Sequence, residues 1–410
     1  VAGPSTEAPT TLLLVGDTLF SRADGRWCTL AALSKQLDVW FAEFDRVVIA
    51  ACLLPGPPPD HHRALERDDL EFHELPVAGG TNLRAKLGVA LTMVRWAVTL
   101  VPLMRRTTAV HLRTPCNVTI LAIPLARLLV RRRYAIYADN WEPLGVEART
   151  FRLQRWLLRH LFGGVVHAYT PPGEHLPRHV RVNTSPSFTQ AELDAMAPAA
   201  QRRAERLTDV GDEPRELRVC IVGNFRERKN QAGLIRAVAV LRNRGVPVRL
   251  RLAGTGQTFE RDRALAAQLG LDDHAEFLGH VGHDRVLEVL EWADVNALVS
   301  AAEGFGKVFL EGMAVGCPAV CGPGDMQRWL IGDGARGRQA DPRDPAAIAD
   351  ALEELWRLPA PARLRMSASC REFAGGFTTE AFAAEIDEIV HGVWALPRPA
   401  TGTRRGPATG

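Results

Sequence analysis

Lysine is nearly absent from this chain. Of its 50 basic residues only Lys35, Lys86, Lys229 and Lys307 are lysines. With the abundant alanine, this bias points to a GC-rich bacterial coding sequence. Cysteine is also sparse: seven residues, odd in number and dispersed, with no C-x-x-C pair. That excludes a zinc ribbon and a disulfide framework, and leaves buried free thiols in a reducing cytosol as the expectation. Net charge is only +3, which argues against a dedicated nucleic-acid binder. No uninterrupted membrane-length run occurs. The most hydrophobic segment, Leu87–Met104, is broken by Arg95 and contains Pro102, so it reads as a helix packed in a core. Val1–Pro9 has no basic n-region, so no export signal is expected and the location reads as cytoplasmic.

What is present is a long, soluble α/β pattern. A chain of 410 residues exceeds one simple core and suggests two domains. Apolar content of 46% with 24% charged residues is that of a globular protein. Strand-like runs at Thr11–Val15, Arg46–Cys52, Ala109–Leu112, Tyr134–Tyr137 and Val165–Tyr169 alternate with helical patterns at Trp27–Leu37, Leu83–Met104, Val118–Val130 and Thr150–Leu161. Residues 191–216 lack a long apolar run and read as an interdomain linker. A second series follows, with strands at Leu217–Val222, Val248–Ala253, Ala275–Leu278, Val295–Val299 and Pro318–Cys321. Its helices are Gln231–Arg242, Phe259–Leu269, Asp284–Trp292 and Pro345–Trp356. The expected organisation is two Rossmann-like domains with parallel sheets, 10–190 and 217–378, facing across a cleft. Residues 1–9 and 397–410 read as disordered ends.

The densest signal lies at Ser300–Pro318. Glu303 and Glu311 stand eight positions apart around the Gly304-Phe305-Gly306 turn. Val308, Phe309, Leu310, Met313 and Ala314 recur at helical spacing, so a short helix should run from Gly306 to Val315 and stop at Gly316-Cys317-Pro318. Glu303 then precedes the helix and Glu311 lies on it. Unpaired N–H groups in the first turn, near Lys307 and Val308, suit an anion. Glycine lets a ligand approach the main chain, and carboxylates beside such a turn suit hydroxyls. The reading is a cradle for a molecule carrying both sugar hydroxyls and phosphates.

Glu303 through Glu311 resembles the E-x7-E signature of retaining glycosyltransferases of family 4, which have the GT-B fold. Val219–Asn230 is similar to that family's G-R-L-x-x-x-K loop, in which arginine and lysine grip the donor diphosphate. Here Gly223 and Lys229 match, whereas Asn224 stands at the arginine position, so Arg226 or Arg228 would have to supply the second cation. Gly254-Thr255-Gly256 resembles the family's G-x-G near the donor. Leu278 and Val281 fall in a segment similar to the one lining its base pocket. The Gly322-Pro323-Gly324-Asp325 stretch lacks the family's usual glutamate and receives no role. In the first half, Gly25 lies in a polar loop, Asp17–Trp27, at the place of an acceptor-side loop. His111 or Arg113, after a strand, would enter the cleft, the histidine toward the donor sugar. Asp139, with Asn140 and Trp141, would meet acceptor hydroxyls by carboxylate and stacking.

The resemblance implies transfer of a sugar from a nucleotide-diphosphate donor, with UDP or GDP as the carrier, to a hydroxyl acceptor with retention of configuration. Lys229 and Arg226 or Arg228 would face the leaving phosphate, Glu303 the sugar hydroxyls and Glu311 the ribose, while Lys307 would join the phosphate contacts or read a donor substituent. No D-x-D motif or metal cluster occurs, so neither metal nor cofactor is expected beyond the nucleotide sugar. The resemblance also implies that a closing helix, 379–394, completes the first domain. Two rivals remain, a nucleotide-sugar epimerase of the same fold and a non-catalytic scaffold that binds the nucleotide sugar. The arginines 127, 131, 132, 133, 149, 152, 155 and 159 form either a solvated face or a peripheral contact with anionic lipid, as in relatives that reach lipid-linked acceptors.

Overall fold

The computed structural model describes residues 9–59, 61–78, 83–143, 147–173, 176–209, 215–301 and 303–399. The ends expected at 1–8 and 400–410 lie outside them. The chain divides into two units, 1–186 with 379–410, and 187–378.

In the first unit the elements run β1 (Thr11–Ala23), β2 (Arg26–Leu30), α1 (Ala31–Ala42), β3 (Arg46–Leu53), β4 (His62–Ala64), β5 (Leu70–Glu74) and α2 (Leu83–Arg105). They continue with β6 (Ala109–Thr114), α3 (Asn117–Leu129), β7 (Arg132–Asn140), α4 (Arg149–His160), β8 (Val165–Tyr169) and β9 (Val180–Val182). Strands β5-β3-β1-β6-β7-β8-β9 are all parallel, while β2 pairs antiparallel with β1 and β4 antiparallel with β2. Strand alternation builds two cores. Leu13 and Val15 face α2, α3 and α4, whereas Leu12 and Leu14 face α1 and a C-terminal helix. The order reverses between β1 and β6, which marks their carboxyl ends as the crevice of this sheet.

One sequence expectation fails here. The polar loop at Asp17–Trp27 is instead the end of β1 and a hairpin into β2, closed by Asp24 (φ 48°) and Gly25 (φ 79°). Asp-Gly with two positive φ angles is a tight hairpin turn, so Gly25 serves the turn rather than a helix entry, and the helix starts only at Ala31. Of the tail expected from Pro397, Arg398 is held at the Asp387 carboxylate.

The second unit opens with α5 (Gln190–Ala195) and α6 (Ala197–Asp209), where a linker was expected. The apolar run is missing because a guanidinium takes its place. Arg203 is fully buried and donates to the carbonyl of Ala293, at the end of a neighbouring helix. Then come β10 (Leu217–Val222), α7 (Gln231–Asn243), β11 (Val248–Ala253), α8 (Phe259–Gln268), β12 (Ala275–Gly279), α9 (His283–Trp292) and β13 (Val295–Leu298). The unit finishes with α10 (Lys307–Ala314), β14 (Ala319–Cys321), α11 (Asp325–Ile331), β15 (Gly337–Gln339), α12 (Pro345–Trp356) and α13 (Ala360–Gly375). Its parallel sheet has the order β12-β11-β10-β13-β14-β15, reversing between β10 and β13.

The chain then returns to the first unit as α14 (Thr379–Asp387) and a π-helical turn, Glu388–Val393. Glu385 is 3.0 Å from the buried His167 and accepts from Thr184 at 2.7 Å, while His391 meets Glu43 at 2.8 Å. All seven cysteines are buried and unpaired.

One titration in this unit has a predictable sign. Burial pushes the Asp38 carboxyl up to about 7, against the hydrogen bond it accepts from the Glu66 N–H. The folded state therefore keeps its proton to higher pH than the unfolded chain, and stability falls as pH rises from about 4 to about 7. Asp38→Asn should raise the thermal midpoint above that range and converge with wild type below it. Melting curves across pH check this, and a variant less stable at alkaline pH would refute it.

Candidate functional site

The reversal between β10 and β13 places two loops side by side, one leaving each strand. The first begins at Gly223, whose N–H donates to Ala253, and Phe225 follows by donating to Thr255 at 2.9 Å. The Phe225 ring is buried edge-on against Phe259 at 4.9 Å. This loop lies directly on Gly254–Gly256. A Cβ at Gly254 would stand 2.2 Å from the Gly223 carbonyl oxygen, and one at Gly256 2.3 Å from that of Phe225. Those glycines are thus required for two stretches of protein main chain to touch, before any ligand is considered.

Glu227–Lys229 then forms a single 3-10 turn ended by Asn230 in the left-handed region (φ 56°, ψ 38°). The Asn230 amide donates to the carbonyls of Val299 (3.2 Å) and Pro342 (2.7 Å). This clamp fixes the turn, and sequence reading gave it no role. Its left-handed backbone is a property of the fold that the sequence does not announce. The carbonyl of Asn224 is held by Gln231 at 3.1 Å, leaving Asn224 itself exposed alongside Arg226 and Arg228.

The second loop carries Glu303. Its carboxylate takes a hydrogen bond from Lys229 Nζ at 2.6 Å and one from Ser300 Oγ at 3.2 Å, with the Arg228 guanidinium at 4.0 Å. Both partners are largely enclosed, the Lys229 side chain 15% and Glu303 13% exposed. The main chain is held from below, because the buried Gln327 on α11 donates to the carbonyls of Glu303 (2.8 Å) and Gly304 (3.3 Å). Gln327 lies just beyond the stretch to which no role was given. Gly306 caps α10 with φ 74°, and a Cβ there would meet the Phe309 ring at 2.8 Å. The helix ends as expected. Cys317 N–H returns to Gly312 and Gly316 N–H to Met313, with Gly316 at φ 76°.

Lys229, Arg228, Glu303, Gly304, Gly306, Lys307 and Val308 therefore share one strand-end crevice of the second unit, with Glu311 further along α10. Phe305 lies in the same turn. Its ring is buried against Phe377 at 5.3 Å, so only its main chain is available to a ligand. Leu278 and Val281 are half-buried at the end of β12, where the Gly279 carbonyl accepts from Gly254 at 2.7 Å.

The residues assigned in the first unit fare differently. Strand β6 runs on to Thr114, so His111 lies inside it rather than at its end. Its ring is fully buried between Trp40 (5.1 Å) and Tyr134 (4.6 Å), neither nitrogen has a hydrogen-bond partner among the described residues, and burial drives its pKa well below the usual value. It is a neutral core histidine and not a ligand to the donor. Trp141 is likewise buried, edge-on to Tyr137 at 5.5 Å, so it offers no stacking face. Asp139 accepts from its neighbour Asn140 N–H at 2.8 Å. Arg113 does reach the β1–β6 reversal, donating to Gln36 at 2.9 Å. Asp17 lies there too, its carboxyl raised by burial and eased by hydrogen bonds, that of Cys116 included, and by the charge of Arg113.

Residues 206–373, within the second unit, match the family model of glycosyl transferases group 1. Among curated proteins the chain is similar to a D-inositol 3-phosphate glycosyltransferase of Corynebacterium urealyticum, 28% identical over 222 residues and 52% of each chain. It is also similar to the putative glycosyltransferase EpsD of Bacillus subtilis, 36% identical over 131 residues, 32% of this chain and 34% of that one. The match thus spans about half the length of the first of these relatives and a third of the second. Among solved structures it resembles Anabaena Alr3699/HepE in complex with UDP and glucose, with TM-score 0.61 and 16% identity over 94% of this chain and all of that one. A sucrose-phosphate synthase of Thermosynechococcus elongatus gives TM-score 0.64 at 18% identity over 94% and 99%. At such identities the likeness shows the fold, which is GT-B: α/β, with parallel sheets in two domains.

Proposed function

We propose that this protein is a retaining glycosyltransferase that moves a sugar from a UDP- or GDP-sugar to a hydroxyl acceptor, of the family-4 type that its E-x7-E spacing resembles. The observation that carries the reading is the meeting of Lys229 and Glu303 at the β10–β13 reversal. There a cation for phosphate and a carboxylate for sugar hydroxyls stand within one hydrogen bond of each other. The match to the group 1 family model and the UDP bound in the HepE structure support the donor class.

In this mechanism the bond from the anomeric carbon to the donor phosphate breaks as positive charge develops on the sugar ring. The leaving phosphate gains negative charge, met by Lys229, by Arg226 or Arg228, and by the N–H groups that open α10. The acceptor oxygen forms its bond from the same face, and the leaving phosphate takes the acceptor proton. No side chain is needed as nucleophile or base. Glu303 orients the sugar hydroxyls and Glu311 the ribose. With His111 buried, the first unit's polar groups for an acceptor are Asp17 and Arg113. The curated relatives' names make inositol 3-phosphate the first acceptor to try.

The test is nucleotide release, followed by mass spectrometry, from UDP-, GDP-, ADP- and TDP-sugars with that acceptor and with cell extract. Wild type should release nucleotide from one donor, and Glu303→Ala should not. A second reading, a non-catalytic scaffold that binds nucleotide sugar, is favoured by Asn224 at the position where the resembled loop has arginine. Binding of a donor with no turnover in any extract, and turnover gained by Asn224→Arg, would establish that reading instead.

A further inference from the structure

We propose that the second unit binds a small inorganic anion of halide size in a cavity among its arginines. The cavity measures about 30 Å³ and is lined by Arg203, Arg215, Arg363 and Asp294. That is room for a single halide or for one or two waters. Leu217 and Val295 are also on its wall, and they open β10 and β13. The cavity therefore lies at the amino ends of the two strands whose carboxyl ends carry the Lys229 turn and the Glu303 loop. It is separate from the crevice, and its filling is independent of the reaction proposed above.

Charge is out of balance around this cavity. Arg203 is fully buried and spends both terminal nitrogens on the carbonyl of Ala293, a neutral group. Arg215 lies 2.9 Å and Arg206 3.6 Å from one oxygen of Asp294, whose other oxygen accepts from the Arg218 N–H at 3.0 Å. One carboxylate thus stands against three guanidiniums. Glu291, the other acid near them, is held by Arg202 through two bonds of 2.7 and 3.0 Å. The thiols of Cys317 and Cys370 beside Arg203 bring no charge, because burial pushes both upward and keeps them protonated. Hydrogen bonding is incomplete as well. Among the described residues, Arg203 Nε and Arg215 Nε are enclosed and have no acceptor. A buried cation without counter-charge is costly, and so is a buried N–H without an acceptor. Water in the cavity could take the hydrogen bonds but not the charge. A halide supplies both, accepting from several N–H groups while carrying one negative charge and no proton of its own.

The experiment is hydrogen exchange of the full chain, followed by mass spectrometry on peptides that cover β10 and β13, whose amides report the opening of this unit. It is run in sodium chloride and in sodium gluconate at matched ionic strength, so that screening is equal. Chloride should slow exchange by one plus its concentration over its Kd, about elevenfold at ten times Kd, whereas gluconate is too large to enter. Arg215→Gln should exchange equally in the two salts. Arg249→Gln, half-exposed on β11, should keep the chloride dependence. Crystals of wild type soaked in sodium bromide give a reading that needs no variant. An anomalous peak is expected within hydrogen-bond reach of Arg203 Nε and Arg215 Nε. Equal exchange in both salts with no peak would assign the cavity to water and overturn the proposal. A peak with equal exchange would mark an adventitious ion only, which overturns it too. A chloride dependence that survives in Arg215→Gln would place the ion elsewhere and refute this site.

Discussion

Lys229→Ala should lower nucleotide release by about two to three orders of magnitude, the usual cost of deleting one preorganised group that stabilises leaving charge. The loss should fall mainly on turnover, because the charge that Lys229 meets grows as the sugar–phosphate bond breaks. The geometry makes the variant interpretable. Without the ammonium, the Glu303 carboxylate keeps its hydrogen bond from Ser300 and the Arg228 guanidinium at 4.0 Å, and its main chain keeps Gln327. The loop should therefore hold its place, which an unchanged melting curve would verify. Steady-state kinetics with the donor found in the release assay gives the result. A Lys229→Ala enzyme as fast as wild type would remove this residue from the reaction, and with it the pairing on which the functional reading rests.

Gly254→Ala should be among the most destabilising single methyls in the second unit, because it combines a clash with a strained φ. Its Cβ would sit 2.2 Å from the Gly223 carbonyl oxygen, at a φ of +134° that side chains rarely adopt. Main chain on both sides leaves no flexible group to yield, so a cost of about 4 kcal/mol or more is expected. Gly245→Ala is the control. It has a positive φ of 78° but nothing within 4 Å, so it should lose only about 1–2 kcal/mol of backbone strain. Denaturant midpoints of the two variants separate crowding from strain. Equal, small losses would mean that the loop after β10 can move off its neighbour.

Most of the second unit was legible because its strands are short apolar runs bounded by punctuation. Val248–Ala253 is bracketed by Pro247 and Gly254, and Leu217–Val222 ends at Gly223, so periodicity and glycine place them together. Glu303 and Lys229 were legible for the same reason, since each follows a strand in a loop with a glycine. What failed was whatever a side chain does against expectation for its type. The helix α6 was missed because Arg203, a residue that hydropathy places outside, lies on its inward face between Ala200 and Leu207. His111 misled because its strand continues two residues further than its apolar run. The β1–β2 hairpin was hidden by the polar residues that form it, although Asp24-Gly25 announces the turn. Asn230 and Gln327 carry no compositional mark. Their role is set by carbonyls far along the chain.

The distance to those carbonyls has a consequence during synthesis. Asn230 anchors to Val299 and Pro342, which lie 69 and 112 residues downstream. Until Pro342 has left the ribosome, the amide that positions the cationic turn lacks one of its two acceptors. Such far-separated contacts form late, after the entropy of closing the chain between them has been spent. A nascent chain stopped after β13 would hold every strand on one flank of the crevice, yet Lys229 would have no settled place. The proposed capture of a nucleotide sugar would then begin only near the end of translation of this unit, when strand β15 and the loop after it have docked.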